Sequence, residues 1–124
     1  MKDTIAPHED AEQITLFAWI DIHSGQYPDL ALAFHVPNGG HRNPHIGAQM
    51  KRLGVRPGVP DIILPVAKHG YNGLAIELKR SIGGRVSPEQ QKWLNLLEQQ
   101  GWKTCVCYGS DEAIKIIREY MEIK

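Results

Sequence analysis

Two short apolar runs, residues 61–66 (DIILPV) and 74–78 (LAIEL), flank the stretch AKHGYNG at 67–73. Aliphatic runs of this length, joined through His69-Gly70, read as a β-hairpin. No other segment restricts the fold as much, because a central hairpin commits its neighbours to a sheet. With the turn centred near His69-Gly70, antiparallel partners have positions that sum to about 139, which sets Asp61 opposite Leu78. Side chains alternate along a strand, so Glu77 and Lys79 share one face while Leu78 points to the other, into a core. One end of the hairpin then gathers Asp61, Glu77 and Lys79, charged residues that add nothing to a core.

The flanking segments supply the rest of an α/β domain. Leu16 and Ile20 give residues 9–23 an apolar helical stripe, with Phe17 beside it. Gly25 and Pro28 end that helix. A strand is expected at 32–36, then a turn at Pro37-Asn38-Gly39-Gly40. Asn43 as N-cap, Pro44 at the first position and Gly54 as a stop frame a helix over 44–53. Ser87-Pro88-Glu89-Gln90 is a capping box that opens a third helix, which Gly101 closes. Residues 103–108 form a strand, and Ser110-Asp111-Glu112 cap a last helix to about Met121. The order α-β-α-β-β-α-β-α predicts a mixed central sheet flanked by helices. The strand at 103–108 is reached by a right-handed parallel crossover.

Length bounds the class. A chain of 124 residues fits one domain, spanning 1–124, and buries a core without disulfides or a structural metal. No apolar run approaches the ~20 residues that cross a bilayer, and the acidic, polar start MKDTIAPHEDAEQ is no secretory signal. Cys105 and Cys107 lie two apart in a strand, as reduced thiols of a cytoplasmic protein. Net charge is zero, which excludes a strongly basic nucleic-acid coat. Its distribution is uneven: no acid lies between Asp29 and Asp61, and residues 30–92 hold nine Lys/Arg against three acids. A local basic surface suits a phosphate-bearing partner; its plainer reading is a set of solvated loops.

The hairpin end has its own chemistry. Two carboxylates held close repel each other unless one is protonated or a cation sits between them. Hard oxygen ligands at this spacing suit Mg²⁺ or Mn²⁺, which keep several waters. A lysine beside them can orient water or offset charge on a phosphate. Phosphodiester hydrolysis needs these parts. A structural Asp at a strand start with a surface Glu/Lys pair is the bland alternative.

Pro60-Asp61 followed by Glu77-Leu78-Lys79 resembles the PD-(D/E)xK nuclease motif. With "VPNGG" (36–40), "RLGVRPGVPDIIL" (52–64), "GLAIELKR" (73–80) and the string at 87–121, the chain looks like a VRR-NUC domain, of the stand-alone kind often carried by phages and prophages. The resemblance implies a restriction-endonuclease-like fold and a Mg²⁺- or Mn²⁺-dependent DNA endonuclease that leaves 5′-phosphates. Branched DNA such as a four-way junction is the implied substrate. It makes Asp61, Glu77 and the Leu78 backbone carbonyl metal ligands and Lys79 the catalytic lysine. It also points to a Glu on the first helix, here Glu12 with Glu9 competing one turn earlier, and to Gln90 after the capping serine. His41, Arg42, Lys51, Arg52, Arg56 and Arg80 are the candidate nucleic-acid contacts. Two-strand cutting calls for two sites, hence a homodimer, with Trp19, Trp102 or Tyr27 as interface residues. No membrane or organic cofactor enters this picture. A binding module without catalysis, or a flap or RNA-processing nuclease of the same fold, are the competing readings.

His35, His41 and His45 with the two cysteines match no zinc spacing. "NGGHRN" carries no phosphate-loop or dinucleotide fingerprint.

Overall fold

The computed structural model of the chain describes residues 9–37 and 44–124. Its elements run α1 (Glu9–His23), β1 (Phe34–His35), α2 (Pro44–Arg52), β2 (Ile62–Leu64), β3 (Leu74–Lys79), α3 (Pro88–Gln99), β4 (Lys103–Tyr108) and α4 (Ser110–Met121). The sheet has order β1-β2-β3-β4, with β1-β2 and β2-β3 antiparallel and β3-β4 parallel. This is the mixed α/β sheet expected from the pattern, with α3 as the crossover.

One face of β3 presents Leu74, Ile76 and Leu78 to a core built with Leu16 and Ile20 of α1 and Ile117 of α4. The other face carries Ala75, Glu77 and Lys79, and Gln90 of α3 reaches it through Glu77. All six β3 residues are buried, as a central strand between two helical layers requires. Capping is local and legible: Ser87 Oγ accepts the Gln90 N–H while Gln90 Oε1 accepts the Ser87 N–H. Gly101, with φ +86, ends α3 through Gly101 N–H to Glu98 O and Trp102 N–H to Leu97 O.

Three expectations are corrected. Residues 28–32 form a 3-10 helix, and the strand expected at 32–36 shrinks to Phe34–His35. Pro28 starts that helical turn, and the buried Leu30 anchors it to α1. Ser110 is not the cap of α4. Gly109 holds that position without a side-chain bond, and a carboxylate from α1 takes over the work. Trp19 and Tyr27, half-buried, pack against the core, and the half-buried Trp102 ring fills the space where a Gly73 side chain would stand.

The third correction concerns the hairpin register. Its tip is centred on His69-Gly70, where Lys68 pairs with Tyr71 and both central residues have positive φ. The strands, however, pair Ile62 with Ile76 and Leu64 with Leu74, one step away from the register that the tip alone dictates. Pro65, Val66 and Ala67 on one side therefore face only Asn72 and Gly73 on the other. The extra residue sits beside Pro65, which has no N–H to give to a ladder. This bulge sets Asp61 level with Glu77 instead of Leu78. Directly opposed residues share a face, so the slip turns Asp61 away from the core and onto the side of Glu77 and Lys79.

The turn at 38–40, the cap Asn43 and the candidate contacts His41 and Arg42 lie outside the described residues.

Candidate active site

Asp61 follows the fully buried Pro60 and is held on three sides. Its carbonyl accepts the Val36 N–H at 2.7 Å and bonds His35 Nδ1 at 2.9 Å. A carbonyl can only accept, so Nδ1 carries the hydrogen and Nε2 is the ring nitrogen left for other partners. The Asp61 Oδ2 accepts the Leu78 N–H at 2.8 Å, a bond across the hairpin end that fixes the carboxylate beside Glu77.

Glu77 is 1% exposed. Its Oε2 accepts Gln90 Nε2 at 3.0 Å and lies 3.5 Å from Lys79 Nζ. Its Oε1 is buried and accepts no hydrogen bond from any other described residue. Burial pushes the Glu77 carboxyl up to about 9, the Asp61 charge adds to the shift, and Lys79 opposes it. Lys79 is itself buried, under the loop that follows β3: a side chain at Gly84 would meet its Cβ at 2.7 Å. A buried glutamate kept neutral beside a second carboxylate is a pair that a hard cation relieves. The residues present fit Mg²⁺ or Mn²⁺. Among the described residues no three His, Cys, Asp or Glu side chains converge on one point, so the cation would rest on Asp61, Glu77, the Leu78 carbonyl and water.

The walls come from three elements. A cleft of about 410 Å³ opens over the two acids, lined also by Glu9 and Gln13 of α1, His35 of β1 and Gln90 of α3. The segment leading to Asp61 is pressed on the start of α3: at Gly58, φ +88, a Cβ would lie 2.7 Å from the Glu89 backbone. A larger groove of about 660 Å³ along α4, lined by Ile114, Ile123 and mixed charges, brings together no comparable set.

The structure separates the two α1 glutamates. Glu12 is buried and its Oε1 accepts the Ser110 N–H at 3.0 Å, capping α4 from another helix. Glu12, Leu16 and Ile20, four apart, form the buried stripe of α1. Glu9 and Gln13, also four apart, lie on the adjoining stripe that lines the cleft. That spacing was the signal available in the sequence for Gln13; His35 offered none beyond its charge type. Arg80 is half-buried beyond Lys79, and Lys51, Arg52 and Arg56 are exposed at the end of α2 and just after it.

The comparisons come down on one family. The VRR-NUC domain matches residues 8–111. No curated protein matches the chain. Among solved structures, a "VRR_NUC domain protein" is 27% identical and superposes with a TM-score of 0.79, over 99% of this chain and 93% of that one. No described helix is long and apolar enough to cross a membrane. The chain belongs to the VRR-NUC family of nuclease domains.

Proposed function

We propose that this domain is a Mg²⁺- or Mn²⁺-dependent endonuclease that hydrolyses phosphodiester bonds in branched DNA, four-way junctions among them. The observation that carries the reading is the buried Glu77, pushed toward its neutral form by burial and by Asp61 level with it, and 3.5 Å from Lys79. When bound, the cation draws charge from the scissile phosphate and makes water a better nucleophile. Asp61, Glu77 and the Leu78 carbonyl hold it. Gln90 fixes the Glu77 carboxyl group through Oε2, which leaves Oε1 for the ion. Lys79, buried beside that carboxyl, sets its ammonium against the negative charge that grows on the phosphate oxygens. The water oxygen bonds to phosphorus and gives up a proton to solvent as the P–O3′ bond breaks; the 3′ oxygen takes up a proton, and the product keeps a 5′-phosphate. Glu9 replaces Glu12 as the α1 acid that serves the site, since Glu12 is engaged with Ser110.

Lys51, Arg52, Arg56 and Arg80 supply cations for neighbouring phosphates. One site cuts one strand, so paired incisions in a junction call for a homodimer with both clefts on the same DNA. The test is a panel of labelled linear, single-stranded, flap and four-way DNA and matched RNA, with Mg²⁺, Mn²⁺ or EDTA. Paired nicks in the junction, lost in EDTA and in Asp61→Ala, support the reading. Full cleavage by Asp61→Ala sinks it, and preference for flaps or RNA moves the substrate class. Light scattering at micromolar concentration checks the dimer.

A further inference from the structure

α2 ends in a Schellman turn. Gly54 has φ +101, its N–H donates to Lys51 O at 3.0 Å, and the Val55 N–H donates to Met50 O at 3.0 Å. Half-buried Val55 closes the turn, so the turn makes no use of the Leu53 side chain. Leu53 is 75% exposed and has no place in the hydrophobic core. Lys51, Arg52 and Arg56 stand around it, all exposed, and Arg56 Nη1 lies 3.4 Å from Lys51 O. Among the described residues none of the three meets a carboxylate, and the sequence holds no acid between Asp29 and Asp61.

A single exposed leucine is ordinary. This one caps a hydrogen-bonded tip with three cations within three residues of it, and chain length alone keeps it within ~28 Å of Asp61. The cations select a phosphate-bearing partner. In an intact duplex an apolar wedge must first unstack a base step, which costs free energy. At a branch point the terminal pairs expose their faces, and apolar wedges seat against such open steps. We infer that Leu53 is a wedge that packs on the unstacked base pair at a DNA branch while Lys51, Arg52 and Arg56 hold the phosphates beside it. This rests on the proposed reading of the domain as a nuclease of branched DNA and names the residue that selects the branch.

The test separates the two. A four-way junction with 2-aminopurine at the branch is titrated in EDTA with the full chain, beside a linear duplex of the same sequence. The wild type raises the 2-aminopurine fluorescence. Leu53→Ala and Leu53→Gln lose that rise, and their junction-over-linear preference falls about tenfold, the scale of losing most of one leucine's apolar burial. Leu53→Met keeps both. A wild-type complex with no fluorescence change, or Leu53→Ala with unchanged signal and preference, overturns the inference. A protein that shows the Leu53-dependent signal but cuts nothing with Mg²⁺ or Mn²⁺ upholds the wedge and overturns the nuclease reading alone.

Discussion

Gln90 serves Ser87 and Glu77 at once: its Oε1 accepts the Ser87 N–H at 2.8 Å and its Nε2 donates to Glu77 Oε2 at 3.0 Å. The amide that starts α3 thus also orients the buried acid. Gln90→Glu keeps the acceptor for Ser87 and loses the donor to Glu77. Its melting temperature at mildly acidic pH should stay within a few degrees of wild type. Cleavage should fall roughly 10- to 150-fold, the equivalent of one hydrogen bond to a charged group. Gln90→Ala should lose both. Equal stability losses in the two variants would refute the double role.

Glu77 gives the metal-free protein a characteristic pH dependence. Its folded value, about 9, stands far above the ordinary 4.5. Between these pH values the folded chain keeps a proton that the unfolded chain has released. The stability this group contributes is complete below about pH 4.5 and is lost as pH rises through about 9. Without metal, the melting temperature should therefore fall across that window. Glu77→Gln should flatten the fall and regain on the order of a few kcal/mol at the alkaline end. Mg²⁺ or Mn²⁺ should raise the wild-type melting temperature, most at alkaline pH, and leave Glu77→Gln unmoved. Identical pH profiles for the two proteins would contradict the assignment.

The α1 acids should part company in parallel assays. Glu12→Ala strands the buried Ser110 N–H and should cost about 1–3 kcal/mol in chemical denaturation. Glu9→Ala should change stability by less than about 0.5 kcal/mol and weaken Mn²⁺ binding and cleavage. The reverse pattern would return Glu12 to the site.

Gly58 holds the Asp61 segment against α3. Gly58→Ala combines the positive φ with a clash on the Glu89 backbone, and should lose about 1–3 kcal/mol together with cleavage. Gly70→Ala is the control: its φ of +83 is strained too, but nothing lies within 4 Å. It should cost stability alone. Matching activity in both variants would show that the Gly58 contact does not position Asp61.

Reversing any two of Lys51, Arg52 and Arg56 should weaken binding to every DNA sequence alike. Neutralising two of them should reduce the salt slope of binding by roughly 2. A titration from low to moderate salt reads this directly, and an unchanged slope assigns these charges to solvent.

The local elements were legible because their signals are short-range. The capping box at Ser87 and Gln90, the φ-permissive Gly101, the apolar spacing of Leu16 and Ile20, and the central turn at His69-Gly70 each depend on neighbours a few residues away. From these the sequence by itself determined the helices, the hairpin and the acids and lysine at its end. Tertiary structure decided the rest. The bulge at Pro65 set the register, and with it the face on which Asp61 stands. The buried N-terminus of α4 holds the Glu12 carboxylate, while Glu9 and Asp10 line the cleft. The burial of Glu77, and with it the raised pKa of its carboxyl, comes from packing among segments far apart in the chain. Pairing across a sheet and exclusion of water join residues far apart in the chain, and no window along the sequence carries that information.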